Sequence, residues 1–444
     1  MNAAFAAVSP ERRREILDAL RRGTVPQRSL DAFAVGLGRF EAALDEELAL
    51  VQRGGSVFKA VRGEYGSGKT FFARWLEERA RKLGFATSEV QISETETPLH
   101  RLETVYRRMI ERLATTDVAS GALPSVIDAW FFALEQDVLS EGEVDEADTA
   151  ALLARSTALL EQRLSAISRT APAFAAALRG YREAVAQGRR GVAEGLLAWV
   201  GGQPNVSAEV KRAAQIRGDV DHFTALAFLQ GLLVVLRDAG HSGLLVVLDE
   251  VETLQRVRGD VRERGLNALR QLIDEIDAGR FPGLYLVITG TPAFFDGPQG
   301  VQRLAPLAQR LHVDFATDAR FDNPRAPQIR LGAFDQGRLE EVGRRVRDLY
   351  AEGSPQKDRL MSLADDAYVA DLARAVAGAL GGKVGIAPRL FLKKLVGDVL
   401  DRIEQFPDFD PRTHYALTVA GSELTLVERE ARGEVRPDDI ELSL

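Results

Sequence analysis

Eight consecutive residues, Gly63-Glu64-Tyr65-Gly66-Ser67-Gly68-Lys69-Thr70, fit the pattern G-x-x-x-x-G-K-[ST] in full. Glycines at these places let backbone N–H groups turn inward around phosphate oxygens, and a helix starting near Lys69 brings the positive end of its dipole to the same point. Lys69 is then expected on the β- and γ-phosphates of ATP, and the Thr70 hydroxyl on one position of an octahedral Mg²⁺. Such a loop binds nucleotide; hydrolysis further needs a carboxylate for the metal ion and a group that activates water. Asp249-Glu250, ending the apolar run Leu244 to Leu248, offers both. Asp249 is expected to hold Mg²⁺ through water and Glu250 to orient or deprotonate the attacking water.

Three further positions complete the candidate chemistry. The strand between the phosphate-loop strand and the Asp249 strand is expected to end in a polar sensor of the γ-phosphate. Thr289 and Thr291 are available there; Thr291 is preferred, against the alternative of a threonine that closes a strand and starts a turn. Transition-state charge calls for an arginine, often from a neighbouring subunit. Arg303 and Arg310, in the helical stretch Val301 to Leu311, are the candidates, with Arg310 preferred over a plain surface role. Arg389, after Pro388 at a helix start, is placed to reach back to the nucleotide. Glu252 reads as structural or interfacial.

The elements that must carry these residues follow from hydrophobic periodicity. Ser56 to Arg62 predicts a strand entering the loop, Phe71, Phe72, Trp75, Leu76 and Leu83 a helix leaving it, and Phe85 to Ile92 the next strand. That βαβ unit implies a parallel sheet covered by helices. Leu244 to Leu248 and Leu284 to Ile288 have the continuous apolar character of strands buried on both faces. Gln328 to Leu331 is a fifth strand candidate, followed by Asp335 as a helix cap. Pro98 to Gly240 reads almost wholly as helix, including Leu99 to Leu113, Ala151 to Ile167 and Val220 to Ala239, with an acidic surface segment from Glu141 to Asp148. It is expected to be a helical insertion in the α/β domain. Gln336 to Tyr350, Ala367 to Leu380 and Pro388 to Phe406 predict a small helical second unit, and Tyr415 to Val419 with Leu424 to Val427 a short hairpin.

Composition narrows the function classes. A chain of 444 residues with 45% apolar and 27% charged residues is expected to fold into two or three packed units rather than remain disordered. The absence of cysteine excludes disulfides, cysteine-bound zinc, iron–sulfur clusters and thiol nucleophiles. The five histidines lack metal-ligand spacing. The most apolar stretch, Phe223 to Leu236, falls short of the roughly 20 residues needed to cross a bilayer, and the N-terminus lacks the pattern of a secretory signal. No membrane association is expected, and a cytoplasmic location fits. A net charge of −8 argues against a surface committed throughout to nucleic acid. Two local basic stretches remain: the amphipathic helix Pro10 to Gly23, and Thr253 to Arg270 with Arg256, Arg258, Arg262, Arg264 and Arg270. Each reads first as a solvated helix face; the alternative is a phosphate-contacting arm for the first, and a contact for phosphodiester backbone or an adjoining subunit for the second.

These pieces resemble the AAA+ ATPases, in the branch that includes origin-recognition and related replication-initiator proteins, from Thr24 to about Arg402 apart from the insertion. More narrowly, Gly63 to Phe71, Pro98-Leu99-His100, Leu248-Asp249-Glu250-Val251-Glu252-Thr253 and Gly290-Thr291-Pro292-Ala293-Phe294-Phe295 resemble the ATP-binding proteins of bacteriophage-exclusion (BREX-type) defence islands. The resemblance implies Walker A roles for Lys69 and Thr70, with the rest of the loop and Phe71 around the nucleotide. It implies Walker B roles for Asp249 and Glu250, sensor 1 for Thr291, an arginine finger for Arg310 and sensor 2 for Arg389. Val25 and Pro26 fall beside the adenine.

The fold it implies is an AAA+ three-layer α/β core with a parallel sheet. A basic helix spans 1–23, the core 24–97 and 241–334, the helical insertion 98–240, a helical lid 335–406 and a C-terminal extension 407–444. The residues after Phe406 are too few and too poorly patterned for the winged-helix domain that usually ends initiators of this branch. The function implied is an oligomeric ATPase of an anti-phage system, acting on DNA or on partner defence proteins such as a helicase or methyltransferase. The alternatives are a nucleotide-dependent binding module with negligible turnover and a transposition- or replication-type DNA loader.

Overall fold

The apolar runs pair as five parallel strands: β1 (Val57–Arg62), β2 (Ala86–Gln91), β3 (Leu244–Asp249), β4 (Leu284–Gly290) and β5 (Gln328–Arg330), in the order β2-β3-β4-β1-β5. Every residue of β3 and β4 is buried, which is why neither shows an apolar–polar alternation in sequence. This computed structural model describes residues 8–142, 148–382, 385, 387–425 and 428–429.

Helices α1 (Pro10–Arg21) and α2 (Gly38–Gln52) precede the sheet, and α3 (Lys69–Lys82) joins β1 to β2. Between β2 and β3 lie α4 (Leu102–Glu111), α5 (Leu123–Ser140), α6 (Thr149–Thr170), α7 (Pro172–Ala186), α8 (Arg190–Val200), α9 (Ala208–Ala213) and α10 (His222–Asp238). Helix α11 (Gly259–Asp277) joins β3 to β4, and α12 (Pro292–Asp296) and α13 (Ala305–Leu311) separate β4 from β5. After β5 come α14 (Gln336–Ala351), α15 (Lys357–Leu363), α16 (Asp366–Ala379), α17 (Pro388–Lys393), α18 (Asp401–Gln405) and α19 (Pro411–His414). A π-helical turn, Lys394–Leu400, makes α17 and α18 one continuous rod.

Caps mark several of these starts. Ser9 accepts from the Arg12 amide ahead of Pro10, Asp221 and Thr224 close a reciprocal box at α10, and Asp335 accepts from the Arg338 amide at 2.8 Å.

The sheet separates two cores, and the period-two geometry of a strand assigns residues to each. Leu244, Val246 and Leu248 of β3, with Leu284, Leu286 and Ile288 of β4, pack with helices between β2 and β3 and with α11. Leu245, Val247, Tyr285 and Val287 face the other way and pack with α3, α1, α2 and the C-terminal helices. By the same parity Asp249 and Thr289 belong to the α3 side.

Two sequence expectations change. Tyr415 to Val419 forms no strand, although Tyr415, Leu417 and Val419 are partly buried in alternation with exposed Ala416 and Thr418. The extended segment lies against the C-terminal helices and belongs to no strand ladder among the described residues. Of its expected mate, Leu426 and Val427 lie outside the described residues, as do 143–147 of the acidic segment. The stretch Val301 to Leu311 is broken: a 3₁₀ turn, Val301–Arg303, precedes α13, and Leu304 between them is extended, with Pro306 in the first turn of the new helix. Among the described residues no helix is long and apolar enough to cross a membrane.

Candidate functional site

At the C-terminal ends of β1 and β3 the chain encloses a cavity of about 330 Å³, where parallel α/β sheets bind ligands. Its polar wall is Tyr65 to Thr70 with Asp249, Glu250 and Glu252. Its apolar wall includes Val25, Pro26, Phe33, Leu37, Phe71 and Val342, and Arg389 closes a further side.

The loop is shaped by its glycines. Gly66 and Gly68 have φ of 79° and 88°, left-handed values that disfavour other residues. A Cβ on Gly63 would meet Ser67 Oγ at 2.3 Å. Gly63 and Glu64 stand behind the wall: the Gly63 amide donates to the Gly290 carbonyl at 3.1 Å, anchoring the loop to the tip of β4. Their carbonyls accept from Lys69 Nζ at 2.9 and 3.3 Å. Helix α3 opens at the cavity, and its first amides lack intrahelical acceptors by geometry. Ser67 Oγ is buried without a hydrogen-bond partner among the described residues. An anion-accepting cradle is what these features make.

The carboxylates are held by the neighbouring strands. Thr70 Oγ1 donates to Asp249 Oδ2 at 3.0 Å, so the two expected magnesium ligands already touch. Thr289, level with Asp249 on the adjacent strand, donates its hydroxyl to Asp249 Oδ1 and accepts the Glu250 amide at 3.1 Å. Glu250 itself has φ 60° and ψ 42°, a left-handed conformation that costs a non-glycine residue about 1–2 kcal/mol. It is locked by the Thr289 contact, by the Thr253 amide and hydroxyl on its carbonyl, and by Gln91 Nε2 on its carboxylate at 2.9 Å. Strain held this firmly is typical of functional positions.

Thr289, rather than Thr291, is therefore the threonine brought to the acidic pair. Thr291 is buried at the start of α12; neither threonine lines the cavity, and the contact with Asp249 and Glu250 is what separates them. Gln91 went unnoticed in the sequence; the available signal was a polar residue at the tip of the strand beside Asp249.

Val25 and Pro26 are held in place by α3: Arg74 donates to the Val25 carbonyl at 2.7 Å and to Glu89 at 2.9 Å. Phe71 meets Phe33 edge to face, with ring centroids 5.2 Å apart. Arg389 reaches the cavity from α17, but its guanidinium is engaged bidentately by Glu428, which is 4% exposed, and donates to the Glu423 carbonyl at 2.6 Å. Neither Arg303 nor Arg310 lines the cavity. Arg310 pairs with Asp274 at 2.8 Å and Asp277 at 2.7 Å on α11, whereas exposed Arg303 has no ion-pair partner among the described residues.

Two buried carboxyls are displaced from their ordinary range. Glu252 is raised by burial, with Lys69 pulling it the other way. Glu77, on α3, is pushed up to about 8 by burial and then by Glu89, against Arg81 and Arg74.

The donor set fits a nucleoside triphosphate with magnesium: an ammonium, a helix N-terminus, a hydroxyl paired with a carboxylate, and an apolar wall for a base. Searches among curated proteins and among solved structures gave no match. The family profile of the BREX system ATP-binding proteins BrxC/D matches residues 8–419, taking in the phosphate loop, the acidic pair and Arg389, and the chain belongs to that family.

Proposed function

We propose that this ATP-binding protein of a BREX defence system hydrolyses ATP, using an AAA+ arrangement of its site. The observation that carries the reading is the contact of Thr70 with Asp249 at 3.0 Å, with Glu250 locked beside it. A module that only bound nucleotide would need the loop but not a strained, fourfold-restrained glutamate. Lys69, Ser67 and the α3 N-terminus receive the phosphates, and Val25, Pro26 and Phe33 the base. Thr70 and Asp249 would hold Mg²⁺, which when bound neutralises charge on the β- and γ-phosphates. Glu250 takes the proton of the attacking water, and Gln91 and Thr289 orient it. Thr289 replaces Thr291 as the favoured sensor.

The strand order with β4 between β3 and β1 supports the AAA+ reading, and Arg389 arriving from α17 supports a lid formed by 335–406. The boundaries 24–97, 98–240 and 241–334 remain the proposed core and insertion. Helix α1, from the basic segment 1–23, joins the lid instead, since it shares its core and Arg21 pairs with Asp401 at 2.7 Å. Action as a homo-oligomer would supply the missing arginine in trans. Arg310 is the favoured group if its α11 carboxylates release it, and Arg303 if they do not. Control of DNA has less support. Arg262 is spent on the carbonyls of Leu254, Gln255 and Val257, and Arg264 on Asp260. Partner defence proteins, a helicase or methyltransferase among them, are the favoured targets.

Glu250→Gln is the direct test: ATP affinity is retained and steady-state turnover lost, and unchanged turnover removes Glu250 from the mechanism. Light scattering with and without ATP tests assembly, where a monomer in both conditions refutes a trans arginine. Binding to DNA titrated against salt, with and without ATP, tests the loader reading; no ATP-dependent binding at any salt counts against it. A switch with negligible turnover is the second reading, favoured by the engagement of Arg389 by Glu428.

A further inference from the structure

One acidic side chain of the cavity has no part in this chemistry. Glu252 lies on the turn after Glu250, 4% exposed and on the cavity wall. Among the described residues no other residue hydrogen-bonds either carboxyl oxygen; its own backbone amide alone leans towards it. Its nearest cation is Lys69 Nζ at 3.8 Å, an ionic rather than a hydrogen-bonding distance. A buried carboxyl that no other residue hydrogen-bonds is costly, and one that faces a ligand cavity points to a role in that cavity.

The surroundings of Lys69 define that role. Its ammonium has three N–H groups. Gly63 and Glu64 carbonyls take two directions at 2.9 and 3.3 Å, and Glu252 stands on another side at 3.8 Å. The field of Glu252 extends into the loop, where it adds to burial in raising the Tyr65 phenol. Phosphates must draw Lys69 from this arrangement, and the carboxyl they deprive of its cation opposes them, by repulsion while it is charged and by the cost of taking up a proton otherwise. Like charges in a poorly hydrated site repel strongly. The repulsion falls chiefly on the terminal phosphate, because Glu252 shares its turn with Glu250.

We propose that Glu252 is the resting counter-ion of Lys69 and a specificity-determining residue of the phosphate site, orienting the ammonium before nucleotide binds and opposing the γ-phosphate afterwards. ATP is thereby held less tightly relative to ADP than the loop alone would hold it, which favours departure of the released phosphate. This step rests on the nucleotide reading of the cavity and deepens it.

The test compares dissociation constants for ADP and for a non-hydrolysable ATP analogue, both with magnesium, by calorimetry on the full chain. Glu252→Gln is expected to bind the analogue about tenfold more tightly while ADP moves less than about threefold. A merely structural residue would not produce gained affinity confined to one nucleotide. Glu252→Leu, neutral and suited to burial, gives the same direction if the amide is poorly tolerated. An unshifted or weakened analogue affinity in a folded variant overturns the role of Glu252 alone. Failure of the wild-type chain to bind either nucleotide overturns the nucleotide reading with it.

Discussion

Replacing Thr289 by valine tests the acidic pair most sharply, because the two side chains have nearly the same shape and differ in the hydroxyl. That hydroxyl donates to Asp249 and accepts the Glu250 amide at 3.1 Å. Losing a hydrogen bond to a charged group costs about 1.5–3 kcal/mol, and an unsatisfied buried amide about 1–3 kcal/mol. The two losses share one group and are not additive, so about 2–3 kcal/mol is a fair total. Expressed in the turnover step, that is a fall of about 30- to 150-fold in kcat. Phosphate release at saturating ATP and magnesium measures it, with a thermal melt to verify folding and a fluorescent nucleotide to verify binding. Thr289→Ser keeps the oxygen and should stay within about threefold of wild type, a difference below ~0.7 kcal/mol. Thr291→Val, outside the contact, should do the same. Unchanged turnover in Thr289→Val, or a loss confined to Thr291→Val, would refute the assignment.

Two other perturbations follow from the same geometry. Glu428→Ala removes the bidentate partner of Arg389 and should raise ATP affinity about fivefold, close to 1 kcal/mol. Arg389→Ala should lower that affinity, and a Glu428 variant that binds ATP more weakly would contradict the competition. The Glu77 carboxyl is raised from the ordinary 4.5 to about 8, so the folded chain keeps a proton that the unfolded chain releases. Stability should therefore fall as pH rises from 4.5 towards 8, and Glu77→Gln should flatten that part of the melting-temperature profile. A variant profile with the wild-type slope would show that Glu77 is not its source.

The parts of the site legible in sequence are those where local backbone geometry dictates residue type. Gly66 and Gly68 must tolerate left-handed φ, and Asp249-Glu250 must end a strand apolar enough to be central. Thr289 and Thr291 were harder to separate, since both have the parity that faces α3. What distinguishes them is where β4 stops, and pairing with β1 through Gly290 sets that. Glu428 left no local trace at Arg389, from which it is 39 residues distant. The alternation at Tyr415, Leu417 and Val419 is real, but among the described residues the segment joins no sheet, and the helices it lies against supply burial rather than a ladder.

Because β3 and β4 send alternate residues to opposite cores, helices α4 to α10 and the Asp249–Thr289 contact occupy opposite sides of a partition one strand thick. Change on the insertion side can enlarge, shorten or redecorate α4 to α10 while the parity that aims Asp249 and Thr289 stays intact. A slip of β3 by one residue would do the reverse, leaving every helix of the insertion nearly as it was and turning Asp249 away from the loop. The sheet thus lets one side of the molecule change while the geometry of Asp249 and Thr289 on the other is held fixed.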